Sequence, residues 1–204
     1  MQFIEFKNLF STYNFFSKVE IEKRIPDFNN MNLIHWQKKK YLTKIRNGWY
    51  CFNDTAINDE KRFAIANKIY QPSYISMETA LSYYGLIPEA VFKIISVSTL
   101  KTNEINSPLG VFLYHTIKPG LFWGYHIKSK GSTTYKIAAP EKAILDFLYF
   151  NPSINTVDDI AAFRFNKTEI LQYVNFDTLT QYAAEFHSNV VIKRVGLLKK
   201  YIDA

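Results

Sequence analysis

The sequence predicts an α+β protein in which a small, mostly helical N-terminal domain precedes a larger mixed domain with an antiparallel sheet and C-terminal helices. Three observations support this. Apolar residues recur at helical spacing near the N-terminus, β-rich runs cluster between residues 92 and 138, and a helical pattern resumes from Thr156. With 48% hydrophobic and 21% charged residues among 204, the composition is that of a globular protein rather than a disordered one.

The first 25 residues contain two predicted helices. Apolar side chains repeat mostly every three residues from Phe3 to Phe16, which predicts a helix over that range. Ser17 is a good N-cap residue for a second helix over Val19–Ile25. Pro26 follows directly and cannot continue that helix, so the second helix is expected to end there.

A third helix is predicted over Asn30–Lys39, with Asp27 or Asn29 as its capping residue. Its apolar stripe is expected at Met31, Leu33, Ile34 and Trp36. The side chains expected to point away from the core are Asn30, Asn32, His35 and Lys39.

A short hairpin follows the third helix. Tyr41–Ile45 and Trp49–Phe52 have the pattern of two strands, and the turn between them contains Asn47-Gly48, the strongest short hairpin signal. Three helices followed by a small hairpin predict a winged helix-turn-helix domain over residues 1–52.

The basic charge of the chain is concentrated in this segment. Residues 1–52 hold nine Lys and Arg against four Asp and Glu, a net charge of +5, whereas the remainder carries +2. A basic segment attracts nucleic-acid phosphates or an anionic membrane, although a run such as Lys38-Lys39-Lys40 is also typical of a solvated helix face. Because the excess coincides with a predicted winged helix, we expect double-stranded DNA as the partner and no membrane contact. A winged helix used only for protein contacts is the alternative.

The predicted DNA-binding residues fall into two groups. Lysine and arginine side chains neutralise phosphates and fix the register on the duplex, and that group comprises Lys38, Lys39, Lys40, Lys44 and Arg46. Side chains that offer donors and acceptors to base edges form the second group, which comprises Asn30, Asn32 and His35.

The second predicted domain covers residues 61–204. It begins with helices over Lys61–Tyr70 and Met77–Tyr84, the latter capped by Ser76, and a further helix follows Pro140. Four strands are predicted as an antiparallel meander, with the segment from Asn103 to Pro108 as a loop between the first two; they are Phe92–Leu100, Gly110–Lys118, Leu121–Lys130 and Thr133–Ala138.

Three segments resemble the AbiEi antitoxin family. Tyr74–Pro88 (YISMETALSYYGLIP) is similar to one hallmark segment of that family, and Ala139–Asp146 (APEKAILD) is similar to a second. Arg46–Tyr50 (RNGWY) is similar to the wing of its N-terminal domain. The three matches occur in the family's order, and with the preceding helices they span roughly Phe3 to Phe150.

The resemblance implies an antitoxin of a type IV toxin–antitoxin or abortive-infection system. Such proteins bind and repress their own operon's promoter through the winged domain. Their C-terminal domain neutralises a nucleotidyltransferase toxin encoded beside them, typically without a stable complex. The third helix here is rich in Asn rather than Arg and Ser, so the operator sequence does not follow from the resemblance.

Other chemistry has weak support in the sequence. Phosphate-binding Gly-rich loops and nucleophile motifs are missing, and one cysteine, Cys51, excludes a multi-cysteine zinc site. His115 and His126 fall on successive predicted strands, but two histidines without a third ligand seldom bind a metal. We therefore expect no cofactor and no metal. The N-terminus has no apolar leader, so a soluble cytoplasmic protein is expected.

Two alternative functions stay open. One is a stand-alone winged-helix regulator whose second domain senses a ligand or a partner. The other is a nuclease built on Glu141, Lys142 and Asp146, since carboxylates beside a lysine occur in metal-dependent nucleases. The i, i+4 spacing of Lys142 and Asp146 predicts instead an ordinary exposed ion pair, and the residue after Pro140 suits an acid in a first helical turn.

Overall fold

The computed structural model describes residues 1–89, 91–131 and 133–204 and is an α+β protein with a mixed sheet. In the described chain the helices are α1 (Phe3–Leu9), α2 (Lys18–Arg24), α3 (Met31–Lys38), α4 (Asp59–Ile69), α5 (Met77–Tyr83), α6 (Pro140–Phe150), α7 (Val157–Ala162), α8 (Lys167–Tyr173), α9 (Phe176–Glu185) and α10 (Asn189–Asp203). The strands are β1 (Phe16–Ser17), β2 (Leu42–Arg46), β3 (Trp49–Phe52), β4 (Ser73–Ile75), β5 (Lys93–Ser98), β6 (Asn103–Ser107), β7 (Gly110–Thr116), β8 (Tyr125–Lys130) and β9 (Thr133–Ala138).

Helix boundaries in the N-terminal region (residues 1–52) follow local capping. Ser17 caps α2 in a capping box, because its hydroxyl accepts from Glu20 N at 3.1 Å and the Glu20 carboxylate accepts from Ser17 N at 2.6 Å. At the start of α3, the Asn29 side chain accepts from Met31 N at 2.9 Å. The first helix is shorter than predicted: it ends at Leu9, and Phe16 lies instead on a strand that pairs with Tyr50.

The N-terminal strands form a three-stranded antiparallel sheet in the order β1-β3-β2. The predicted hairpin is confirmed, and its turn depends on Gly48, whose φ of +78° is a backbone conformation that glycine adopts without strain.

Two hydrophobic cores meet at this hairpin. A small aromatic core lies within the N-terminal region and consists of Phe6, Phe10, Phe16, Ile21, Phe28, Leu33, Trp36, Leu42, Tyr50 and Phe52. Along β3, Tyr50 and Phe52 belong to this small core, whereas Cys51 between them belongs to the large core of the C-terminal region. Successive side chains of a strand point to opposite faces, so β3 packs against both cores.

A β-bulge changes which side chains of β2 face the C-terminal region. Lys44 pairs with Tyr50 and Arg46 with Trp49, so Ile45 is an extra residue without a partner of its own on β3. Ile45 belongs to the large core, and the guanidinium of Arg46 donates to the carbonyl of Ile69 at 2.6 Å. Ile69 ends α4, so Arg46 satisfies a carbonyl at the negative end of that helix.

The C-terminal sheet differs from the predicted meander. Its six strands have the order β6-β7-β5-β4-β9-β8, and the pairs β5·β7 and β4·β9 are parallel. The expectation of an antiparallel meander was wrong for two reasons. The segment from Asn103 to Ser107, predicted as a loop, is edge strand β6, and the three-residue strand β4 was not recognised but occupies the middle of the sheet.

The C-terminal helices confirm the predicted pattern and enclose α6. Arg194 on α10 is buried and donates to the carbonyls of Leu148, Pro152 and Ile154 at 2.7 to 2.9 Å. The Leu148 carbonyl lies in the last turn of α6 and the other two follow that helix, so Arg194 supplies donors to carbonyls that have no partner within the helix. Among the described helices, none combines the length and apolar character that crossing a membrane requires.

Cys51 provides a probe of the contact between the hairpin and the large core. Burial raises the pKa of its thiol to about 11, from an ordinary value of 9.0. At pH 7.5 the thiolate fraction is then reduced roughly a hundredfold, so we expect alkylation of the folded chain by iodoacetamide to be at least that much slower than alkylation in urea. Labelling at equal rates in both conditions would show that β3 does not stay packed on the C-terminal region.

Candidate nucleic-acid interface

The outer face of α3 is open to solvent, but it carries different residues from those predicted. Leu33 and Trp36 are buried in the small core, as expected. Met31 and Ile34, predicted for the same apolar stripe, are 52% and 44% exposed. With 100° between successive residues, Met31, Ile34, His35 and Lys38 form the outermost stripe of the helix.

The reason for this difference is helix geometry, because at 100° per residue Met31 and Ile34 lie on the side of α3 opposite to Leu33 and Trp36. Aromatic side chains from α1, from β1 and from the segment before α3 fill the small core, and Trp36 packs edge-on or tilted against Phe3, Phe6 and Phe28 at centroid distances of 4.8 to 5.8 Å. Of the four apolar residues predicted for one stripe of α3, only Leu33 and Trp36 lie on the face that packs against these aromatic side chains. Met31 and Ile34 therefore contribute an exposed apolar surface, which is the kind of group that contacts a thymine methyl in a major groove.

Three lysines line one groove beside α3. The groove lies between the start of α2, α3 and the hairpin, and we call it the lysine groove after Lys18, Lys38 and Lys44. Asn30, Ile34 and Gln37 form its α3 side, and Tyr50 forms part of its floor. Burial raises the pKa of the Tyr50 hydroxyl and the nearby charge of Lys18 opposes that rise, which indicates that the ammonium lies close to the floor.

The structure brings some of the predicted site residues together in the lysine groove and places the others outside it. Asn30, Lys38 and Lys44 line the lysine groove, whereas Asn32 is half-buried and His35 is exposed on the other flank of the outer stripe. Lys39 and Lys40 are exposed at the end of α3.

Arg46 is separated from the groove. The bulge turns its side chain toward α4, where its guanidinium donates to the carbonyl of Ile69, so Arg46 does not line the groove with Lys44. Lys18 replaces it in the groove and was missed by sequence reasoning. Its position next to the N-cap of α2 is visible in the sequence, but its proximity to Lys44 depends on the pairing of β1 with β3.

The segments Tyr74–Pro88 and Ala139–Asp146 meet in a buried polar cluster formed by Tyr74, Ser76, Lys142 and Asp146. The Asp146 carboxylate accepts from Tyr74 Oη at 2.9 Å, from Ser76 Oγ at 2.7 Å and from Lys142 Nζ, and Lys142 Nζ donates also to Tyr74 Oη at 2.9 Å. The side chains of Lys142 and Asp146 are 0% exposed. The expectation of an exposed pair was therefore wrong, because β4 and the surrounding aromatic residues cover this side of α6.

Burial sets the electrostatics of this cluster. Loss of water lowers the pKa of Lys142 and raises the pKa of Asp146, while each charge and the two hydroxyls favour the ionised pair. Ser76 begins α5 but makes no cap bond, because its hydroxyl is directed to Asp146. A side chain at Gly124 would contact the methylenes of Lys142 at 3.0 to 3.2 Å, so glycine is needed for the lysine to fit.

The carboxylates of the nuclease interpretation are engaged elsewhere. The Glu141 carboxylate accepts from Asn175 N at 2.8 Å, at the start of α9, and Asp146 lies within the buried cluster. Neither arrangement leaves an open pair of carboxylates at which a metal and a phosphodiester could meet. His115 and His126 do not face each other, because β5, β4 and β9 separate β7 from β8.

Comparison with models of known protein families gives no match, and comparison with curated proteins gives none either. The similarity to the AbiEi antitoxins therefore depends on the three segments quoted above.

The buried cluster generates a stability prediction. Lys142→Met leaves the Asp146 carboxylate buried without its counter-charge, so we expect the free energy of unfolding in urea to fall by about 3–5 kcal/mol. The matched control is Lys93→Met, which removes a lysine from an exposed ion pair with Glu104 and is expected to cost less than about 1 kcal/mol. The double variant Lys142→Met/Asp146→Leu removes both charges and is expected to lose less than the single variant. Equal losses for Lys142→Met and Lys93→Met would contradict the described environment.

Proposed function

We propose that the N-terminal region is a winged helix that binds double-stranded promoter DNA. The observation that carries the proposal is the lysine groove beside the solvent-exposed face of α3. The element order α1-β1-α2-α3-β2-β3, with β1 paired to β3, supports it because it combines three helices with a small sheet whose β2–β3 hairpin can serve as the wing. In this arrangement α3 is the recognition helix and enters the major groove.

The proposed DNA contacts are of two kinds, contacts with phosphates and contacts with base edges. Lys18, Lys38 and Lys44 neutralise phosphates beside the recognition helix, and Lys39 and Lys40 extend this charge past its end. Asn30 and His35 offer donors and acceptors to base edges, and Ile34 offers an apolar contact between them. Asn32 is half-buried and contributes less than the sequence suggested.

We further propose that the chain is the antitoxin of a type IV toxin–antitoxin system, which represses its own operon and neutralises a nucleotidyltransferase toxin through the region of residues 61–204. The three similar segments support this part. Arg46–Tyr50, which covers the end of β2, the turn and the start of β3, belongs to the proposed DNA-binding region, while the other two segments meet in the buried polar cluster. The two proposed activities, DNA binding and toxin neutralisation, are therefore assigned to two different parts of the chain. We assign no catalytic residue and expect no stable complex with the toxin.

Salt titrations test the DNA-binding proposal. For a promoter fragment, Lys38→Ala and Lys44→Ala should each reduce the slope of log K against log salt by about 0.9, because each removes about one phosphate contact. Lys18→Ala should do the same. Lys199→Ala, on α10, is the control and should leave the slope unchanged.

Arg46→Ala separates the structure from the sequence-based expectation. It should change the slope less than Lys44→Ala, and it should lower the free energy of unfolding by about 1.5 kcal/mol through loss of the bond to Ile69. Slopes that do not respond to Lys18, Lys38 or Lys44 would remove the groove from the proposal.

Separation of the two activities tests the antitoxin proposal. The full-length variant Lys38→Ala/Lys44→Ala should lose repression of a promoter reporter yet still restore growth when co-expressed with a nucleotidyltransferase encoded in the neighbouring gene. Co-purification of the two proteins should yield no stable complex. A neighbouring gene of another kind, or growth that is not restored by the unmodified chain, would favour the stand-alone regulator instead.

A further inference from the structure

A cavity of about 490 Å³ opens where strands β4 and β9 separate. Within the described chain these parallel strands pair at one position, Ile75 with Ile137. One residue before Ile137, the backbone N–H of Lys136 donates to the Asn67 side chain of α4 at 2.5 Å instead of to a neighbouring strand. We call this opening the slot. Its volume is in the range of small-molecule sites.

Two of the residues that line the slot carry a buried polar atom without a partner in the described chain. Ser73 is 2% exposed, and its hydroxyl has no hydrogen-bond partner among the described residues. The Asn67 oxygen is used by Lys136 N, so its Nδ2 is the free end of the amide, and this atom is also buried without a partner in the described chain. A buried donor without a partner costs free energy, so both groups gain from a ligand that accepts hydrogen bonds.

The charges around the slot specify the sign of that ligand. Lys68 and Lys136 line it, and within the described part of the chain neither forms an ion pair with a carboxylate. Pro72, Ile127 and Tyr135 supply apolar walls. The Lys136 ammonium lies over the Tyr125 ring at 5.3 Å from its centroid, a contact that does not neutralise its charge as a carboxylate would. Buried donors, two ammonium groups without a carboxylate partner in the described chain and apolar walls suit an anionic head on an apolar body.

We propose that the slot binds a small organic anion whose carboxylate or phosphate accepts hydrogen bonds from Ser73 Oγ and Asn67 Nδ2. Lys68 and Lys136 balance its charge, and its apolar body lies against Pro72 and Tyr135. The site is independent of the lysine groove, since it is built from α4, β4, β8 and β9.

Calorimetric titration of the full-length chain at low salt tests the proposal with benzoate, phenyl phosphate and neutral benzamide as probes. We expect one saturable site per chain for at least one of the two anions, and the tighter of the two identifies the head group. Benzamide has the shape of benzoate without its charge and should bind at least tenfold more weakly. Absence of binding by both anions, or equal binding of benzoate and benzamide, would overturn the proposal.

Two variants locate the site. Ser73→Ala should weaken the anion about tenfold, because it removes a hydrogen bond to a charged group, while the melting temperature stays equal or rises since the lost hydroxyl had no partner. Asn67→Asp keeps an acceptor for Lys136 N but places a carboxylate in the slot, and it should abolish binding. Ser96→Ala is the matched control: Ser96 is 0% exposed and also lacks a hydroxyl partner in the described chain, but it does not line the slot. Anion binding weakened equally by Ser73→Ala and Ser96→Ala, or unchanged by Asn67→Asp, would contradict the assignment.

Discussion

Strand β3 carries side chains into two hydrophobic cores, and the geometry of the N-terminal lysines depends on this double burial. Tyr50 and Phe52 fix the hairpin to the small aromatic core, while Cys51 fixes it to the large one. Burial of a large apolar side chain contributes about 1.5–3 kcal/mol. Moving the hairpin away from either core would expose such side chains to water and lose that free energy. Lys44 is therefore held at one distance from α3, because its strand is paired with β3 along the groove.

The same constraint explains why neighbouring cations of the hairpin have different surroundings. Without the bulge, Lys44 and Arg46 would point to the same face, as residues two apart on a strand do. The bulge adds Ile45, directs it into the large core and turns Arg46 toward the end of α4. Lys44 lines the lysine groove, whereas Arg46 bonds the N-terminal region to α4 of the C-terminal region. Counting basic residues in a sequence cannot distinguish these two uses.

Local signals were sufficient for much of the fold, because their energetics involve residues a few positions apart. The Ser17 cap, the Asn47-Gly48 turn and the proline at the start of α6 all appear where the sequence predicts them. Long-range pairing was not accessible in this way. Strand β4 has three residues, too few for a period to be seen, and its place beside β5 and β9 depends on pairing with residues 21 to 62 positions away. For the candidate site, the lysines of α3 and β2 were predictable from charge, and the exposure of Ile34 was predictable from its angle to Leu33 and Trp36 on the helix. The place of Lys18 beside Lys44 was not, because it depends on the pairing of β1 with β3.

The buried polar cluster makes two segments that are distant in sequence depend on each other for stability. An isolated lysine–aspartate pair at i, i+4 on a helix is worth a few tenths of a kcal/mol and places no demand on the rest of the chain. Once α6 is covered, the same pair loses its water, and each oxygen and ammonium hydrogen then needs a partner. Tyr74 and Ser76 supply those partners from β4 and the start of α5, and Gly124 leaves room for the lysine stem. A change at any of these positions leaves a buried charge or a clash at another, so the segments around residues 74 and 142 form one structural unit despite nearly 70 residues between them.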